Sequence, residues 1–164
     1  MQYVVARPRI YSGDLLAWSH HGWRSWYDIK IQLVRIFTRS EYCHVGIAWV
    51  VGGRVFVLEA VQSGVRIFPL SRLLPFYWLS LRVKWELEVE AWALRQIGEP
   101  YSTWQAILAG FGLLRAGEDA IWQCAEYAQE VLARAEFKLE GSATPSNLVR
   151  TAKARGAVEY YVEA

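Results

Sequence analysis

The sequence predicts an α+β domain in which a helical layer packs on an antiparallel sheet. Two stretches carry that prediction. Residues 41–61, EYCHVGIAWVVGGRVFVLEAV, place residues of high β-propensity on both sides of Gly52-Gly53, a dipeptide that tolerates positive φ at both central positions of a tight hairpin. Residues 120–135, AIWQCAEYAQEVLARA, are rich in helix formers and carry Ala125, Ala128, Val131, Leu132 and Ala135 on one face. A length of 164 residues with 54% hydrophobic content suits a single domain, residues 1–164, that can bury a sizeable core.

Taken in order, residues 4–10 read as a short extended segment that Pro8 confines to an edge or a strand end. Ser12-Gly13-Asp14 is a turn, followed by a short strand over 15–18, with Asp14 placed to accept from nearby backbone amides. Between 25 and 39 the apolar residues Trp26, Ile29, Leu33, Ile36 and Phe37 share one helical face, with Ser25 as N-cap. After the hairpin Gly64 breaks the chain, and Val65-Arg66-Ile67-Phe68 alternates as a further strand before Pro69. Another strand is expected near 78–83. Val89, Trp92, Ala93, Gln96 and Ile97 mark a helix stopped by Gly98 and Pro100. Residues 103–114 are apolar but loosened by Gly110 and Gly112, which suits a buried helix or a flap. A polar linker over 141–146, a helix over 145–154 and a closing strand over 158–162 complete the chain.

Composition narrows the function classes. The net charge is only +2, and Lys and Arg are scattered among Asp and Glu, so nothing calls for nucleic acid. The opening MQYVVARPRI lacks the features of a secretory signal, and Arg72, Arg82 and Arg115 interrupt the most hydrophobic stretches. A cytoplasmic location without a membrane-spanning helix is therefore expected. Nine Trp and nine Tyr supply a large aromatic core or an aromatic-lined cleft, and peripheral membrane contact stays open.

The hairpin sets a register with chemical consequences. With Gly52 and Gly53 in the loop, Val51 faces Arg54, Trp49 faces Phe56, and Gly46 faces Glu59. His44 and Glu59 then share a sheet face as diagonal neighbours within side-chain reach. An imidazole beside a carboxylate is the base-and-orienter half of a catalytic triad. Cys124 is the candidate nucleophile, expected where the 120–135 helix begins, because the free amides of a helix N-terminus favour thiolate and can hold an oxyanion. Against this stands the general behaviour of a cysteine on an apolar helix, which is that of a small buried hydrophobe. Strand alternation turns Cys43 to the other face from His44, which makes it a buried thiol and argues against a Cys43–Cys124 disulfide. Gly46 and Ala48 are expected to let the helix carrying Cys124 approach closely. Glu126 is read as a first-turn carboxylate that stabilises the helix dipole. His20 and His21 have no spacing that resembles a zinc site, so no metal is expected.

Beyond these derivations, the ordered set Asp14-Leu15-Leu16, Cys43-His44-Val45-Gly46-Ile47, Val57-Leu58-Glu59-Ala60 with Gly64-Val65, Gly98-Glu99-Pro100-Tyr101, and Cys124-Ala125-Glu126 resembles the circularly permuted, papain-like cysteine hydrolases of the NlpC superfamily. That group includes bacterial and poxvirus proteins and lecithin:retinol acyltransferase-like enzymes. The resemblance spans residues 12–135 and implies a permuted papain-like fold, with Cys124 as nucleophile, His44 as base and Glu59 as orienter. It departs from the usual pattern at Cys43, where a small hydroxylated residue more often precedes the histidine. The expected activity is that of a peptidase or amidase acting on an amide or peptide, cell-wall peptide included, without a cofactor. Lipid acyl transfer or hydrolysis and a non-catalytic binding module are the alternatives. Tyr101 and Trp122 are expected to line the substrate cleft.

Overall fold

In the computed structural model, the residues described are 1–19, 41–61, 63–98 and 119–164, with side chains of the last stretch described from Cys124 onward. They form α1 (Tyr3–Ala6), a 3-10 turn (Arg7–Arg9), β1 (Leu15–Trp18), β2 (His44–Val51), β3 (Arg54–Val61), β4 (Gly64–Pro69) and a second 3-10 turn (Leu70–Arg72). These are followed by β5 (Phe76–Ser80), α2 (Leu87–Arg95), α3 (Asp119–Arg134), α4 (Pro145–Ala154) and β6 (Val158–Val162). Among the described residues the architecture is α+β: six antiparallel strands in the order β4-β3-β2-β1-β5-β6, with helices packed on the sheet. The expected helix over 25–39 and the apolar segment 103–114 lie outside the described residues.

The central hairpin forms as its sequence dictates. Gly52 and Gly53 adopt φ of 56° and 71°, which a side chain would resist, and the ladder runs from Val51 opposite Arg54 through Trp49 opposite Phe56 to Ile47 opposite Leu58. β1 pairs with both β2 and β5, and all four of its residues are buried, so a short strand becomes the centre of the sheet. Asp14, just before it, is 1% exposed and ties the turn down. Its carboxylate accepts from the Tyr11 amide at 3.0 Å, the Leu81 amide at 2.9 Å and Trp78 Nε1 at 2.8 Å.

Both sheet faces are covered. On one, Ala125, Ala128, Val131 and Leu132 of α3 meet Leu15, Ala17, Val45, Ile47 and Leu58, joined by Leu148 and Val149 of α4 and Ala93 of α2. On the other, Leu16, Trp18, Ala48, Val57, Phe76 and Trp78 are closed over by Ala6, Ile10 and Leu70. Each large apolar side chain so removed from water contributes about 1.5–3 kcal/mol. Tyr127 fixes α2 against α3 by donating its hydroxyl to the Ala93 carbonyl at 3.1 Å. Thr144 caps α4, accepting from the Asn147 amide at 3.2 Å, with Pro145 where its missing N–H costs nothing.

Two local expectations are corrected. Residues 4–10 are helical rather than extended: the Val5 and Ala6 amides bond the Gln2 carbonyl at 3.1 Å, and Pro8 sits in the first positions of a 3-10 turn. The strand expected near 78–83 lies at Phe76–Ser80 instead, and Arg82 beyond it takes φ 51°. Its length is set by pairing with β6, from Phe76 opposite Val162 to Ser80 opposite Val158. Among the described residues, no helix is long and apolar enough to cross a membrane.

Candidate active site

β2, β3 and α3 bring together the three side chains proposed from the sequence. His44 opens β2, Glu59 lies near the end of β3, and His44 Nε2 meets Glu59 Oε2 at 2.5 Å. The two strands that carry them are held in one register by the glycine turn, so the pairing follows from the hairpin. The Cys124 sulfur hydrogen-bonds the same imidazole. Each ring nitrogen serves one partner, so Nε2 on Glu59 leaves Nδ1 for the sulfur. Cys124 is 1% exposed and Glu59 is fully buried, while 16% of the His44 side chain reaches solvent.

The electrostatics favour a charged imidazole. Burial alone would lower the pKa of His44, but the Cys124 sulfur and the Glu59 carboxylate outweigh it and push the ring up to about 10. Burial would likewise raise Glu59, yet its hydrogen bond to His44 and the positive charges of His44 and Arg66 hold it below the usual carboxylate range. These shifts have opposite signs for stability. His44, raised in the fold, contributes fully below its ordinary 6.5 and loses that contribution as pH climbs toward about 10. Glu59, lowered in the fold, contributes above its ordinary 4.5 and loses its share as pH falls through the depressed value. The difference in Tm between the native protein and His44→Ala is expected to shrink steadily from pH 6.5 to pH 10, which thermal denaturation at a series of pH values will measure.

Cys124 does not sit at the helix start. α3 begins at Asp119, which puts Cys124 in the second turn, where backbone amides belong to the helix's own ladder and the terminal charge has largely fallen away. The expectation that free amides activate this thiol is therefore replaced by direct contact with His44. Glu126, also expected in the first turn, lies deeper in α3, and burial raises its carboxyl to about 7.

Gly46 has a different role from the one expected. A Cβ there would lie 2.4 Å from Val57 Cγ2 and 3.0 Å from the Leu58 carbonyl oxygen, both on β3. The missing side chain lets β3 close on β2 beside Glu59; it does not serve α3. Gly46→Ala is expected to cost about 1–3 kcal/mol, as overpacking does, and to separate His44 from Glu59. Urea unfolding gives the first quantity, and the pH at which the His44 ring titrates by NMR gives the second.

Neither Cys43 nor Cys124 is in a disulfide. Cys43 packs with the cluster opposite to that of Cys124 and donates its S–H to the Trp18 carbonyl at 3.3 Å. Two side chains that sequence reasoning passed over also belong to the site. Trp18 lies against the imidazole, ring centroids 5.3 Å apart, with its own Nε1 anchored on the Leu73 carbonyl at 2.7 Å. Arg66 donates to Glu59 Oε1 from Nε at 2.8 Å and from Nη2 at 2.7 Å. Arg66 was legible in principle, since Val61 opposite Gly64 puts it directly across from Glu59 in the β3–β4 ladder. Tyr101, His20, His21 and the side chain of Trp122 lie outside the described residues. Among the described residues, no three or more His, Cys, Asp or Glu side chains are grouped to hold a metal ion.

No family model matches the chain, and no curated protein matches it in sequence. Among solved structures, it is similar to the metalloprotein yiiX (DUF1105) from Escherichia coli O157:H7, with a TM-score of 0.49 and 22% identity. The likeness covers 76% of this chain and 66% of that one, so this chain spans just under two thirds of the neighbour's length.

Proposed function

We propose that the protein is a cysteine hydrolase of amides or peptides, built as a permuted papain-like domain of the NlpC type. The observation that carries this reading is one imidazole bridging a cysteine sulfur and a buried carboxylate, with Nε2 to Oε2 at 2.5 Å. The chain order supports it as well: base and orienter come from neighbouring strands, and the nucleophile from a later helix packed on that sheet.

In this reading His44 takes the thiol proton, and the Cys124 sulfur attacks the carbonyl carbon of the substrate. The C–S bond forms, the bond to the amine breaks, and His44 returns the proton to the departing nitrogen. Water then enters, gives a proton to His44 and cleaves the thioester, and the sulfur recovers its proton from the ring. Glu59 holds the imidazole in one orientation and stabilises its charged form. Arg66 offsets the charge of Glu59.

The test is covalent loading. Incubation with panels of amides, esters and phospholipids, followed by intact-mass and peptide analysis, is expected to show an amide-derived or ester-derived acyl group on Cys124 that Cys124→Ser does not acquire. Iodoacetamide is expected to label Cys124 faster than Cys43 near pH 7. Loading by phospholipids alone would replace peptide hydrolysis with lipid acyl chemistry. Equal, slow labelling of both cysteines with no adduct would leave a binding module.

A further inference from the structure

We propose that Arg66 is a positioning residue of this site, acting through Glu59 on His44. The inference rests on the proposed triad and adds a fourth member to it. Its basis is how the two oxygens of one buried carboxylate are divided. Arg66 takes Oε1 with two nitrogens, at 2.8 and 2.7 Å, and leaves Oε2 to His44 at 2.5 Å. A carboxylate bonded only to the imidazole could turn about its last torsion and offer either oxygen at any angle. One oxygen clamped by a planar guanidinium fixes the plane of the group and therefore the line along which Oε2 meets the ring.

The clamp is itself held. Arg66 lies opposite Glu59 in the β3–β4 ladder, and its guanidinium stacks over the Phe68 ring at 4.6 Å from the centroid. Phe68 is two residues along the same strand, so strand periodicity delivers both the cation and its platform. The Arg66 side chain is 38% exposed, whereas that of Glu59 is not exposed at all. The charge of Glu59 is thus balanced by one partner inside the site and one at its rim.

A consequence for chemistry follows. When Glu59 takes up a proton it no longer supports the imidazolium, and His44 then cannot hold the thiol proton of Cys124. A guanidinium beside Glu59 postpones that event to lower pH. Arg66 therefore sets how far into acid the nucleophile survives, without touching substrate or sulfur.

The experiment is the pH profile of Cys124 alkylation by iodoacetamide, read by peptide mass, for the native protein, Arg66→Gln, Arg66→Lys and His44→Ala. Arg66→Gln keeps an N–H donor about where Nε lies but removes the charge and the Nη2 contact, and the midpoint of its acid limb is expected to move up by about one pH unit. Arg66→Lys restores the charge and is expected to bring the midpoint most of the way back. A native midpoint in Arg66→Gln, whatever its Tm or overall rate, would reduce Arg66 to a structural ion pair. An Arg66→Lys midpoint no lower than that of Arg66→Gln would overturn the proposal too. Should Arg66→Gln not fold, Phe68→Leu removes the platform and must shift the midpoint in the same direction; no shift there also overturns it. His44→Ala separates the two levels. If it labels as fast as the native protein, the triad reading itself fails; if it is slow while Arg66→Gln keeps the native midpoint, only the role of Arg66 falls.

Discussion

Replacing His44 with alanine is expected to lower turnover of an amide substrate by about 10²–10⁴-fold, the usual contribution of a positioned general base. The sulfur of Cys124 is buried on an apolar helix face, and in the proposed reaction the imidazole activates it, because its place in the second turn of α3 removes it from the helix terminus. Without the ring, iodoacetamide labelling of Cys124 should fall to the rate of Cys43. The Glu59 carboxylate keeps Arg66 as a partner in the variant, so the fold should survive and the loss can be read as chemistry. Single-turnover kinetics at pH 7, with a melting curve alongside, make the measurement. A rate loss below about tenfold would place His44 outside the reaction.

Asp14→Ala is expected to destabilise the domain by about 3–5 kcal/mol, because several donors lose their acceptor and each buried donor left unpaired costs about 1–3 kcal/mol before relaxation. They are the Tyr11 and Leu81 amides and Trp78 Nε1, with the Arg82 backbone beside them, gathered on a side chain that is 1% exposed. Burial raises the pKa of this carboxyl while the same donors pull it down, the mark of a buried charge held by hydrogen bonds. Asparagine is not expected to rescue it: both oxygens accept, so an amide nitrogen at either position would face a donor. Urea unfolding of the two variants measures the loss. The site should feel it, since Asp14 immediately precedes the strand whose Trp18 pairs with His44 and lies against its ring.

The glycine pair carried the most information, because a two-residue turn acts locally: positive φ at Gly52 and Gly53 sets which residues face one another and so brings Glu59 within reach of His44. The opposite happened at Val4 and Val5. Their β-branched side chains favour a strand, but the amide of Val5 bonds Gln2, while Met1 and Tyr3 pair with the chain end at Glu163. Contacts with the far end of the chain decided that segment, and local propensity is blind to them. The helix expected over 145–154 forms there as α4, where local contacts start it: Thr144 caps it and Pro145 takes the first helical position.

The sequence by itself determined the α+β class, the hairpin register, and the boundaries of α4 and β6. All of these rest on turn chemistry, capping and periodicity, which act over a few residues. Only the tertiary structure decided that Cys124 lies in the second turn of its helix, that Gly46 makes room for β3, and that Arg66 and Trp18 complete the surroundings of His44 and Glu59. Those outcomes depend on which strands neighbour one another and how closely they approach. The hairpin first marked in the sequence holds His44 and Glu59 together, and the strand after it supplies Arg66, whose guanidinium bonds the other oxygen of Glu59.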